Sequence, residues 1–336
     1  MHKDRAVARG TIHPLTVASQ ALAGNLLGDP TERAVPVYVP AGHDGSGLPL
    51  LVDIVGFTGG GPSHVNWKNF GENVPERLDR LIATGAMPPV VVAFPDCFTR
   101  LGGNQYVNSA AMGRWEDFLI DEMLPAVEDR FRCGGPGRRG LFGKSSGGYG
   151  AIVHALRHAD IWAAAACHSG DMGFDLCYLG DLFESIRHLG KHDRSIEKFI
   201  AHFEAAPKPA DADVKVLMIL AMAATYDPDP SQFLGIRLPV DLATGERIAE
   251  RWANWLAWDP VNLADEFGEN LRGLKALYID CGTDDQYNLV FGARQLHRKL
   301  ERRGILHRYE EFPDNHSSID YRMDESLPFL AQALTA

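Results

Sequence analysis

A serine set between glycines, then an aspartate, then a histidine follow one another down this 336-residue chain in an order that suits acyl transfer. A hydroxyl attacks a carbonyl carbon effectively only when a base takes its proton and a third group orients that base. The serine lies in Gly143-Lys144-Ser145-Ser146-Gly147-Gly148. A sharp strand-to-helix turn that presents a serine hydroxyl leaves almost no room for side chains two residues before and two residues after it. Gly143 and Gly147 satisfy that demand around Ser145, whereas centring the turn on Ser146 would put the long Lys144 side chain where it clashes. Ser145 is therefore the candidate nucleophile.

Downstream, Gly282-Thr283-Asp284-Asp285 and Pro313-Asp314-Asn315-His316 offer the acid and the base. The Gly-x-x-Asp spacing favours Asp285, with Asp284 the alternative. Of thirteen histidines, His316 alone has both the order and the position for the base. His168 is its nearest competitor and reads as a supporting or structural residue. A tetrahedral oxyanion needs two preorganised backbone donors. One candidate is the Ser146 N–H, at a helix start where the dipole also helps. The other is the Phe57 N–H in the turn Gly56-Phe57-Thr58. Gly59-Gly60-Gly61 could cradle a phosphate, but Pro62-Ser63-His64 follows in place of a Lys-Ser/Thr pair, which argues against a nucleotide site.

Elements with the right spacing surround these residues. Residues 35–39, 48–55, 90–94, 139–142, 163–167, 276–281 and 307–312 read as strands, alternating with helical patterns, as in a mostly parallel sheet covered by helices. The acid and the histidine follow the last two of these, with one helix (Val290, Ala293, Leu296, Leu300) between them. Trp115, Phe118, Leu119, Met123, Val127 and Phe131 share one helical face, which Pro125 is expected to kink or restart. Between residues 172 and 272 the alternation gives way to helical patterns, including Trp252, Trp255 and Trp258. That block reads as a helical insertion after the sixth strand. Its tryptophans either roof the site or pack the insertion onto the sheet.

Composition narrows the partners. A formal charge of −11 disfavours nucleic acid and anionic membrane surfaces. The most apolar run, residues 214–225, is too short to span a bilayer. Residues 1–28 lack a sustained apolar core, so no secretory leader is expected. Five scattered cysteines without ligand spacing read as free buried thiols, which points to the cytoplasm.

Several stretches together resemble the putative-esterase family of α/β-hydrolases, which groups esterase D, enterochelin esterases, feruloyl esterases and mycolyltransferases. They are Val37-Tyr38-Val39-Pro40, Gly56-Phe57-Thr58, Asn108-Ser109 with Trp115-Glu116-Asp117-Phe118, Glu122-Met123-Leu124-Pro125, the run from Gly143 to Ala151, and His168-Ser169-Gly170-Asp171. The resemblance spans roughly residues 30–171 and 273–330. It implies a single α/β-hydrolase domain over residues 1–336, interrupted by the 172–272 insertion. It also implies a Ser145–Asp285–His316 triad that hydrolyses a small-molecule carboxylic ester through an acyl-enzyme, without metal or organic cofactor, in a monomer or homodimer. Two features depart from the family: Asp314-Asn315 stand where glycines often precede the histidine, and the insertion exceeds the usual short connection. The rival expectations are an acyltransferase or enterochelin-type siderophore esterase on the same residues, and a hydrolase-fold protein that only binds.

Overall fold

Leu50-Leu51-Val52-Asp53-Ile54 is apolar at nearly every position, so a strand built from it needs cover on both faces. The computed structural model describes residues 7–336 and gives it that cover. The opening of the segment 1–28 lies outside the described residues. The sheet strands are β1 (Thr11–His13), β2 (Val37–Val39), β3 (Leu50–Ile54), β4 (Val91–Ala93), β5 (Arg139–Lys144), β6 (Ala164–His168), β7 (Ala276–Gly282) and β8 (Arg308–Phe312). Their spatial order is β1-β2-β4-β3-β5-β6-β7-β8. β2 runs antiparallel to both its neighbours, and every other pairing is parallel. This is the expected architecture, with β1 added. Three residues with two exposed side chains give β1 no pattern to read.

Alternation within each strand sorts side chains to two cores. Leu50, Val52 and Ile54 face one layer, with the helices Ser146–Arg157 and Leu289–Arg302. Leu51 and Tyr38 face the other, with Val74–Ala83 and Met323–Thr335. The face predicted around Trp115 is buried throughout. Its helix runs as Trp115–Asp117, a π-type turn over Phe118–Met123, then Leu124–Phe131 with Pro125 in the first turn. Proline lacks the N–H that the ladder would use, and the wider turn before it absorbs the mismatch.

Between β6 and β7 the chain forms the helices Leu179–Leu189, Ile196–Ala205, Asp211–Tyr226, Ala249–Leu256 and Pro260–Phe267, along with shorter turns. The tryptophans there are packing residues. Trp255 is fully buried against Tyr226, Tyr178 and Trp252, with ring centroids 5.5–5.8 Å apart. Trp258 lies under the Arg157 guanidinium at 5.0 Å. All five cysteines are free and buried. Among the described residues no helix is long and apolar enough to cross a membrane.

Candidate active site

The serine turn sits at the carboxyl end of β5, the edge where parallel sheets place their ligand crevices. Ser145 has φ 58° and ψ −125°, a conformation that L-residues avoid, and the helix Ser146–Arg157 starts directly after it. The backbone is held there from both sides. Ser145 N–H donates to His168 O at 3.0 Å, and Tyr149 N–H donates to Ser145 O at 2.8 Å. The glycine requirement is steric: a Cβ on Gly143 would lie 2.1 Å from Ile54 O, and one on Gly147 would lie 1.9 Å from the same atom. Neither position admits any other residue without moving β3.

The turns after β7 and β8 bring the acid and the histidine together. Thr283 N–H donates to Phe312 O at 2.9 Å, and Asp284 N–H to Asp314 O at 3.0 Å, which locks one turn to the other. Asp285 then turns inward. Its Oδ1 accepts from Tyr287 N–H at 2.9 Å, and its Oδ2 lies 2.8 Å from His316 Nδ1. The carboxylate is fully buried, so its orientation is fixed at both oxygens. The Tyr287 ring meets the imidazole edge-on at 4.9 Å, and His316 N–H donates to Gln286 Oε1 at 3.0 Å. Asp284 is exposed, and its carboxylate meets Thr283 Oγ1 at 3.4 Å. Of the two aspartates, Asp285 is the one that touches the histidine. The unusual residues before His316 stabilise their own turn: Asp314 Oδ1 accepts from Asn315 N–H at 2.8 Å, and Asn315 Oδ1 from Ser317 N–H at 2.7 Å.

Ser145 and His316 line a single cleft of about 740 Å³ that also contains Phe57. Phe57 O accepts from Gly103 N–H at 2.6 Å, which pins the peptide that follows Phe57. The N–H groups of Phe57 and Ser146 have no backbone acceptor among the described residues. His168 stands apart from the cleft. Its Nδ1 lies 2.7 Å from Asp280 Oδ1 and its Nε2 2.8 Å from Ser326 Oγ, under the Met323–Thr335 helix. Burial pushes the Asp280 carboxyl up, but His168 and Arg322 outweigh burial and hold it below the usual carboxylate range. His168 therefore belongs to a structural network behind the sheet edge.

The cleft also gathers groups that the sequence pattern did not mark as a site. Asp171 Oδ2 accepts from Tyr178 OH at 2.9 Å and Gln105 Nε2 at 3.0 Å, and Gln105 also reaches Tyr226 OH at 2.8 Å. Burial raises the Asp171 pKa against these bonds. A further histidine–aspartate pair reaches the cleft through His64, whose Nδ1 lies 2.7 Å from Asp53 Oδ2. A charged residue inside the otherwise apolar run of β3 is a sequence signal for such a pair. The segment between β6 and β7 contributes to the cleft wall through Cys177, Tyr178, Asp181, Val214, Lys215 and Met218, while its three tryptophans do not reach the cleft.

With this geometry established, comparison with known proteins adds the family. Residues 30–324 match the family described as Putative esterase. The chain belongs to that esterase family. Esterase Rv1288 of Mycobacterium tuberculosis is 35% identical over 89 residues, covering 24% of this chain and 18% of that protein. The alignment thus spans under a fifth of the curated relative's length. Among solved structures, a ferulic acid esterase superposes with a TM-score of 0.64 at 19% identity, covering 97% of this chain and 99% of its own. The S-formylglutathione hydrolase from Staphylococcus aureus gives 0.56 at 15% identity, covering 98% of each. At those identities the likeness is one of fold, and the fold is that of the α/β-hydrolases.

Proposed function

We propose that this family member is a serine carboxylic-ester hydrolase working through an acyl-enzyme on Ser145, His316 and Asp285. The observation that carries the reading is the His316–Asp285 contact, made in the same cleft that holds Ser145 on its strained turn. Asp285 bonds Nδ1 and so keeps the imidazole in the tautomer whose Nε2 accepts a proton. His316 takes the Ser145 proton as the hydroxyl oxygen attacks the ester carbonyl. It then delivers that proton to the leaving alcohol, and Asp285 stabilises the imidazolium in between. Water, deprotonated by His316, attacks the acyl-enzyme, and His316 returns that proton to Ser145 Oγ as the acyl–oxygen bond breaks and the acid leaves. The developing oxyanion would be met by the Phe57 and Ser146 N–H groups, which have no backbone acceptor among the described residues. A cleft of about 740 Å³ suits a small-molecule ester. The five free thiols fit a reducing compartment, and the cytoplasm is the location we assign.

Rapid mixing with 4-nitrophenyl esters of graded acyl length tests this. An initial burst of about one equivalent of 4-nitrophenol per enzyme, followed by a slower steady rate, is expected for at least one acyl length. Inertness toward the whole series, with no burst at any length, would leave only a binding role for the cleft.

A further inference from the structure

The cleft wall beside the serine turn carries charge that the hydrolytic residues do not use. Lys144 ends β5 and lines the cleft next to Ser145. Loss of water around the ammonium outweighs the upward pull of Asp320 and Asp285, and with Lys68 it leaves the Lys144 pKa below its usual value. Both acids already have close partners. Asp320 Oδ2 holds Lys68 Nζ at 2.6 Å, and Asp285 Oδ2 holds His316 Nδ1 at 2.8 Å. Among the described residues Lys144 has neither an ion pair nor a hydrogen bond of its own. A half-buried ammonium with no carboxylate in direct contact is only partly compensated until an anion arrives.

His64 reaches the same cleft from the turn Gly61–Val65. Asp53 is fully buried in β3; its Oδ2 meets His64 Nδ1, and its Oδ1 has no hydrogen-bond partner among the described residues. The imidazole is therefore the main compensation for a buried carboxylate. Burial lowers the His64 pKa, but Asp53 outweighs burial and raises it. The ring's Nε2 has no partner among the described residues, in a side chain 23% exposed. Lys68, His64 and Lys144 all draw the Asp320 pKa down against its burial, so all three surround that one acid. With His64 protonated, this wall sets three positive groups against Asp53 and Asp320. Asp171, Asp181 and Asp211 also line the cleft, and Lys215 there is tied to Asp181 at 3.2 Å and Glu184 at 2.7 Å. An anion entering the cleft is repelled by those acids and finds the unpaired Lys144 ammonium beside Ser145.

We infer that the ester this cleft takes carries a carboxylate, held by Lys144 and His64. The inference rests on the serine-esterase reading above. The deprotonated acid group would accept a charge-assisted bond from the Lys144 ammonium, and a second from His64 Nε2–H when that ring carries both protons; in the neutral ring Asp53 keeps the proton on Nδ1 and Nε2 has none to give. Lys68 and Asp320 are paired with each other and supply background field.

Two matched pairs of esters test it. Mono-4-nitrophenyl adipate against 4-nitrophenyl hexanoate places the charge on the acyl side. 3-Carboxyphenyl butyrate against phenyl butyrate places it on the alcohol side. In the wild-type protein, one charged member is expected to exceed its neutral match in kcat/KM by about tenfold or more. That ratio should collapse in Lys144→Met, fall in His64→Gln, and shrink with added salt through the charged ester alone. Because each ratio is taken within one protein, a general loss of activity or of folded enzyme cancels. Wild type favouring the neutral member of both pairs, or a preference that both variants keep, would overturn the inference. A protein inert on all four esters, and without a burst, would instead sink the esterase reading and this one with it.

Discussion

Replacing Ser145 by alanine is expected to lower ester turnover by about 10⁴- to 10⁶-fold while leaving the fold intact. The hydroxyl is the only part of Ser145 that the mechanism uses, and the turn is held by backbone bonds to His168 and Tyr149 that alanine retains. A companion variant separates strain from chemistry. At φ 58° and ψ −125° any L-residue pays a conformational penalty, and glycine does not. Ser145→Gly should therefore be as inactive as Ser145→Ala yet more stable than it, by about 1–2 kcal/mol in denaturant unfolding. Such an ordering is what a turn strained for function requires, since natural sequences keep the strain only where it serves. An alanine variant that kept a tenth of wild-type activity would move the nucleophile elsewhere.

Asp285→Asn is expected to cost about 10³- to 10⁴-fold in kcat, whereas Asp284→Asn should change it by less than about threefold. An asparagine at 285 can keep its carbonyl oxygen on Tyr287 N–H, but its NH₂ then faces His316 Nδ1 and favours the wrong imidazole tautomer. Asp284 is exposed and faces Thr283, so its charge is screened by solvent and reaches the imidazole weakly. Steady-state kinetics of the two variants side by side decide the matter. The opposite ranking would reassign the acid.

The serine turn could be read from sequence because its demand is local and steric. Gly143 and Gly147 each face Ile54 O, and the chain has to meet that constraint within five residues. The paired aspartates were harder, since Asp284 and Asp285 differ only in which way the turn after β7 aims them. That direction is set by Tyr287 N–H and by the β8 turn, not by the motif. The Gln105–Asp171–Tyr226 contacts and the Asp53–His64 pair join residues from separate elements, and single-chain periodicity carries no trace of such pairings. Position 53 alone gave a hint, a carboxylate where a doubly covered strand wants an apolar side chain. The helical segment between β6 and β7 shows the same limit from the other side. Its tryptophan-rich stretch reads equally as a roof or as packing, and the deciding partners, Tyr178 and Tyr226, lie on different helical segments. β1 escaped because three residues paired only to β2 need no hydrophobic alternation.

The central claim is that Ser145 forms the covalent bond to the acyl group, and trapping tests it most directly. A small fluorophosphonate reacts with a hydroxyl only where a base activates it and donors hold the resulting anionic oxygen. Intact-mass and peptide-mapping mass spectrometry should find one equivalent of adduct, located on the peptide that contains Ser145. The adduct should be absent in Ser145→Ala and strongly slowed in Asp285→Asn. An adduct on another residue, or ester turnover that persists while Ser145 stays unmodified, would contradict the account.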